Sequence, residues 1–157
     1  MIRMALVLLA IFASVTFAAS KMPDCTLADA RVEDAIKQKA AELNGHEYCQ
    51  FRRYDAMDDL NRDGVDDLLV LFTVEGQDGG NDHVDFLSVF LSGKTFTLPI
   101  TVKVGNRGQR DPVSIEVRDD IIILETQEWQ KGDAACCPTG KGEIRLKLSD
   151  NRLEPVR

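Results

Sequence analysis

The sequence predicts an α+β fold, with one N-terminal helix followed by a mainly antiparallel β-meander or small sandwich. Two observations carry this expectation. Only one stretch of the mature chain repeats its apolar residues at helical spacing, and everything after it reads as short strand-like runs between turn residues. Those runs lie too close together for crossover helices, so neighbouring strands should pair antiparallel.

The helix is expected to be capped by Thr26, with Leu27, Val32, Ala35, Ile36, Ala40 and Leu43 forming its apolar stripe. Asn44-Gly45 should end it, because a left-handed residue closes a helix C-terminus at little cost. A short strand follows from Tyr48 to Tyr54. The run from Leu68 to Val74 is continuously apolar, as in a strand buried on both faces. Further strands are expected at Phe86–Leu91, Thr95–Val104, Val113–Val117, Ile121–Trp129 and Glu143–Leu148. Glycine- and aspartate-rich turns punctuate them, at Ser92-Gly93-Lys94, Gly105 to Gly108, Asp119-Asp120 and Lys131-Gly132-Asp133. No repeat, linker or low-complexity stretch interrupts residues 19–157, which read as a single β-rich domain.

Residues 1–18 read as a secretory signal peptide. Arg3 supplies the positive start, Ala5 to Ala13 the apolar core, and Thr16 and Ala18 the small residues before a cut after Ala18. The apolar run is shorter than the ~20 residues of a bilayer-spanning helix, so no membrane span is expected after cleavage. The expected location is the periplasm or the exterior. Lysine and arginine number 19 against 26 aspartates and glutamates, a net charge of −7. Such a surface repels nucleic acid and anionic lipid and suits cations or basic proteins.

Cys25, Cys49, Cys136 and Cys137 give an even count, which in an exported chain reads as two disulfides. Three pairings are possible. The favoured ones tie Cys25 and Cys49 to the adjacent pair near the C-terminus, closing loops of about 90–110 residues. Such staples stabilise by up to roughly 4–5 kcal/mol in the loop-entropy model. The alternative, Cys136 to Cys137, requires an eight-membered ring. The spacing also lacks the Cys-x-x-Cys of a redox or soft-metal site.

One motif carries chemistry. Asp59-Leu60-Asn61-Arg62-Asp63-Gly64-Val65-Asp66-Asp67 places side-chain oxygens at alternate positions, then a glycine, then a further carboxylate. Alternate side chains of a tight loop turn inward, so Asp59, Asn61 and Asp63 can converge on a cation. Gly64 permits the sharp turn that aims the Val65 carbonyl inward, and Asp67 closes the shell. An all-oxygen, charged set selects calcium rather than zinc. The motif departs from an EF-hand at its last position, where Val70 stands in place of a bidentate glutamate. Affinity is therefore expected in the weak extracellular range, roughly 10⁻⁴–10⁻³ M. Asp55, Asp58 or a carboxylate from the Asp78–Asp85 loop could add an oxygen. Without a cation the clustered aspartates repel, so calcium should order the loop and stabilise the domain.

The Asp-x-Asn-x-Asp-Gly-x-x-Asp loop followed by Leu-Leu-Val resembles the calcium loops of integrin-type FG-GAP repeats and related bacterial secreted modules. The order of features from this loop through Gly79-Gly80-Asn81 and Gly105-x-x-Gly108 to Cys136-Cys137-Pro138 is similar to that of small exported bacterial proteins. That resemblance implies a periplasmic address and no particular activity.

Other residues point less sharply. His46 and His83 are the two imidazoles, and His83 reads as a solvated loop residue between Asp82 and Asp85. Ser88 and Ser92 lack the context of a catalytic nucleophile. Gly105 to Arg110 reads as a projecting loop whose Arg107 and Arg110 could meet a carboxylate or phosphate. Trp129 reads as core or rim. The expectation is a non-enzymatic, calcium-stabilised binding module, in its sharper form an inhibitor or immunity protein against a cell-wall hydrolase. Its partner would be a basic envelope protein of that kind. The competing expectation is a calcium-dependent hydrolase of envelope polymers.

Overall fold

A computed structural model describes residues 29–51, 53–93 and 98–156, without the side chains of residues 53–57. The expected signal peptide, Cys25, Thr26 and Leu27 lie outside the described residues. Helix α1 spans Ala30–Glu42, and its cap is Asp29 rather than Thr26. The Asp29 carboxylate accepts the Arg31 backbone N–H at 2.9 Å and holds the Arg31 guanidinium at 2.7 Å, which uses one of the helix's orphan donors. Asn44 takes φ +49°, and the Gly45 N–H reaches back to the Ala40 carbonyl at 2.9 Å, closing the helix where the sequence placed its end.

Ten strands follow among the described residues: β1 (His46–Glu47), β2 (Arg53–Asp58), β3 (Asp67–Glu75), β4 (His83–Phe90), β5 (Ile100–Asn106), β6 (Arg110–Pro112), β7 (Glu116–Arg118), β8 (Ile121–Glu128), β9 (Gly140–Ser149) and β10 (Arg152–Pro155). All pairings are antiparallel, in the order β1-β3-β4-β5-β6-β8-β9-β10. β2 shares the β3 edge with β1, and β7 shares the β8 edge with β6. The architecture is the α+β meander that the sequence predicted.

The continuous apolar run in β3 explains the two-sided core. Leu69 and Leu71 point to one face, where they join Leu87, Val89, Val104, Ile122, Leu124 and Leu146. Val70, Phe72 and Val74 point to the other, where Val32, Ile36 and Ala40 of α1 cover them with Phe86 and Phe90. The inner cluster draws on β3, β4, β5, β8 and β9, so the sheet curls until its two halves share one core. Burying a leucine or phenylalanine in such a cluster contributes about 1.5–3 kcal/mol each.

Three local expectations are corrected. The predicted strand from Tyr48 to Tyr54 breaks into β1, a 3₁₀ turn at Cys49–Phe51, and β2. Glu47 stands opposite Val74 and Arg53 opposite Leu71, so the edge advances six residues against three on β3 and the surplus is looped out. Of the predicted strand at Val113–Val117 only the end is strand: Val113 to Ile115 form the link between β6 and β7, which are offset by one residue along β8. Most consequential, Cys136 is bonded to Cys137. Cys49 is also disulfide-bonded, though not to either of these. Adjacent residues close almost no loop, so the cross-linking staple expected of the pair is absent.

Candidate functional site

The face of β3 that carries Leu69 and Leu71 begins with Asp67 and ends with Thr73 and Glu75. It is apolar in the middle and polar at both ends, and each end holds a cluster. About six residues of strand separate the clusters, or roughly 20 Å.

The first is the predicted calcium loop. Asp59 accepts the N–H groups of Asp63 at 2.8 Å and Gly64 at 2.7 Å, one on each carboxylate oxygen. Asn61 Oδ1 accepts the same Asp63 N–H at 2.9 Å, and Asp63 Oδ1 accepts the Val65 N–H at 3.0 Å. The three side chains thus all accept backbone N–H groups within the loop. Gly64 takes φ +86°, which a residue with a Cβ adopts only under strain. Asp67 is fully buried, and its oxygens accept the Leu60 N–H at 3.1 Å and the Ser92 N–H at 2.8 Å. Burial pushes its carboxyl above the ordinary carboxylate value, against the pull of these N–H donors, and Asp63 nearby adds to the rise. Asp67 thus ties the loop to the segment leaving β4. The Asp78–Asp85 region lies at the opposite end of the β3–β4 hairpin, so it does not complete this loop.

The second cluster was not foreseen. Residues spaced by two along a strand share a face, so His83 and Asp85 of β4 point together beyond the leucines of the inner core. Thr73, directly across on β3, donates its hydroxyl to Asp85 Oδ1 at 2.6 Å. Asp85 Oδ2 is buried without a hydrogen-bond partner. His83 Nε2 lies 2.8 Å from Asp111 Oδ1 and 3.9 Å from Asp85 Oδ2. Among the described residues this is the one group of three histidine, cysteine or acidic side chains whose ligand atoms all come within 4.8 Å.

Gly105 makes the approach possible. It stands opposite Asp85 where the β4–β5 register slips. A Cβ there would lie 2.5 Å from the Arg110 carbonyl oxygen and 2.7 Å from Asp85 Oδ2. Its absence lets β6 fold over β5 and bring Asp111 to His83. The electrostatics follow: burial pushes the Asp85 carboxyl up to about 6, and the hydrogen bond to Asp111 raises the His83 imidazole.

The cluster lies in the wall of an open cavity of about 700 Å³. Tyr48, Phe51, Val113, Trp129, Cys136 and Arg107 also line it. Phe51 and Val113 remain largely exposed, with the Tyr48 and Phe51 rings 4.8 Å apart. Trp129 donates its indole N–H to the Ala134 carbonyl at 3.1 Å, which ties the cavity wall to the cysteine turn.

The two arginines of the expected binding loop part company. Arg107 lines the cavity and donates to the Asn81 carbonyl at 2.8 Å. Arg110 sits in β6, its buried Nε without a hydrogen bond and paired with Glu128 Oε1 at 3.9 Å. His83 is a half-buried strand residue, not the solvated loop histidine expected. His46 stays exposed beside Glu75 at 3.4 Å. Ser88 is buried against the Thr101 hydroxyl at 2.6 Å.

No protein-family model, curated protein or solved structure matches the chain.

Proposed function

We propose that this chain is a non-enzymatic binding module of the periplasm or cell exterior. In this reading calcium, held by Asp59, Asn61, Asp63, the Val65 carbonyl and Asp67, keeps the β2–β3 loop in place. The open cavity at the far end of the hairpin receives a protein or cell-envelope component. The observation that carries the binding reading is this cavity, with exposed aromatic and aliphatic groups at its rim and an arginine beside them. Aromatic and arginine side chains are the usual anchors of a protein interface. A net charge of −7 suits a basic partner, and the sharper form of the reading is inhibition of a lysozyme-like cell-wall hydrolase.

The test is capture of partners from envelope extract, followed by inhibition assays on cell-wall hydrolases. Phe51→Ala/Trp129→Ala should lose the captured partner. Failure to bind or inhibit any such enzyme removes the inhibitor reading. The calcium part is read by calorimetric titration into chelator-treated protein. Saturable binding that Asp59→Ala/Asp63→Ala abolishes supports it, whereas no heat at several millimolar calcium reduces the loop to an acidic turn.

The alternative is a calcium-dependent hydrolase of envelope polymers, favoured by the imidazole–carboxylate pair of His83 and Asp111 in the cavity. A hydrogen-bonded imidazole beside an open cleft is placed as a general base would be. Thr73 is committed to Asp85 and Cys136 to Cys137, so neither serves as a nucleophile and water would have to attack. Activity on an envelope-polymer panel that His83→Ala removes would replace the binding reading.

A further inference from the structure

We infer that His83, Asp85 and Asp111 form a binding site for a first-row divalent metal of the zinc class, separate from the calcium loop. Four observations support it. The three side chains supply one imidazole nitrogen and two carboxylate oxygens, a borderline donor set that fits zinc and its neighbours better than calcium. Calcium takes six to eight oxygens, and this cluster offers a nitrogen among few donors.

The spacing agrees. Zinc bonds of about 2.0–2.2 Å place neighbouring ligand atoms roughly 3.3–3.6 Å apart in a tetrahedron. His83 Nε2 stands 2.8 Å from one carboxylate oxygen and 3.9 Å from the other, on either side of that spacing, and all three ligand atoms lie within 4.8 Å of one another.

One ligand atom also lacks any other role. The Asp85 side chain is 9% exposed, and its Oδ2 has no hydrogen-bond partner while facing His83. Proteins rarely leave a buried carboxylate oxygen unanswered. Thr73 fixes the opposite oxygen at 2.6 Å, orienting the carboxylate so that Oδ2 is presented, as outer-sphere partners of metal ligands do.

Finally, the cluster borders an open cavity, so an ion has a way in and a fourth position remains for water or a bound group. Arg107 lines the same cavity, so an anionic ligand could meet both charges.

The experiment is zinc titration of chelator-treated protein in millimolar calcium, which keeps the Asp59–Asp67 loop from reporting. Saturable one-to-one binding is expected, and Asp59→Ala/Asp63→Ala should leave it unchanged. Asp85→Asn keeps an oxygen for Thr73 and nearly the same shape, so it should fold. It should weaken zinc by at least about tenfold, as should Asp111→Asn. His83→Ala should abolish binding. Circular dichroism and thermal melting verify the fold of each variant. No saturable binding at submillimolar zinc overturns the site, and so does binding that the folded Asp85→Asn and Asp111→Asn variants retain in full.

Discussion

The two ends of the β3–β4 hairpin treat a buried carboxylate in opposite ways. At the loop end, Asp67 is fully buried and backbone N–H groups answer both oxygens. At the cavity end, Asp85 is almost as buried, but Thr73 hydrogen-bonds one oxygen while the other has no hydrogen bond and only the His83 imidazole at 3.9 Å. The first arrangement is a fastening, because removing it leaves donors behind. The second leaves one oxygen turned toward an imidazole rather than a hydrogen-bond donor. A buried charge therefore says little about its role until each of its oxygens is accounted for.

Substitutions sharpen this contrast. Asp67→Ala should have the largest effect, about 3 kcal/mol or more of destabilisation in urea unfolding, since it strands the Leu60 and Ser92 N–H groups. Asp67→Asn should fall in between, because an amide has a single oxygen. If Asp67→Ala costs less than 1 kcal/mol, the fastening role is wrong.

Gly105→Ala should come next, at roughly 2 kcal/mol, because its Cβ meets a backbone carbonyl that cannot swing aside. The same urea series reads this loss, and wild-type stability would mean that β6 has room to retreat.

The opposite sign is expected for Asp85→Asn in chelating buffer. Burial holds the Asp85 carboxyl up at about 6, so its charge costs stability near neutral pH, and the neutral isostere should restore roughly 1 kcal/mol. A clear loss instead would show that the carboxylate is fully compensated in the folded state.

The smallest effect concerns the turn beside the cavity. The N–H groups of Gln130, at 2.7 Å, and Thr139, at 2.9 Å, hold Asp133 below the ordinary carboxylate value of 3.8. Because the folded value is the lower one, this contribution is present above the unfolded value and disappears as pH falls through the folded one. The Gln130 and Thr139 amide resonances should therefore titrate together with a midpoint below 3.8. A midpoint at or above 3.8 contradicts the bracket.

The fold was largely legible in the sequence because its signals are local. The helix stripe, the two-faced run at Leu68–Val74 and the Asp119-Asp120 turn each depend on a few consecutive residues. The turn at 59–65 is local in the same way, since adjacent residues supply its side-chain to backbone hydrogen bonds. The β10 hairpin had a local signal that went unread: Asp150 and Asn151 adopt φ +48° and +57°, as a two-residue hairpin turn demands. The cavity cluster was hidden for a different reason. Asp111 reaches His83 only because the chain doubles back over Gly105, and no spacing along the sequence encodes that distance. His83-x-Asp85 was the one readable hint, and it could be recognised only once residue 83 was known to lie in a strand. The cysteine pairing differs from the expected cross-links because the turn at Cys136-Cys137 brings the two neighbouring sulfurs together, which the count and spacing of cysteines do not reveal.

The strand order has a consequence for how the chain reaches this state. Nearly every strand pairs with one close to it in sequence, and α1 rests on β3 and β4, which follow soon after it. Hairpins of this kind can zip independently, each on the timescale of microseconds. One event joins distant parts of the chain: Leu69, Leu71, Leu87 and Val89 meeting Ile122, Leu124 and Leu146 in a single core. Folding speed is set by such long-range closure rather than by local pairing. The slow step is thus the curling of the sheet onto itself, and the cavity, whose wall draws on both β3 and β8, is complete only when that step is.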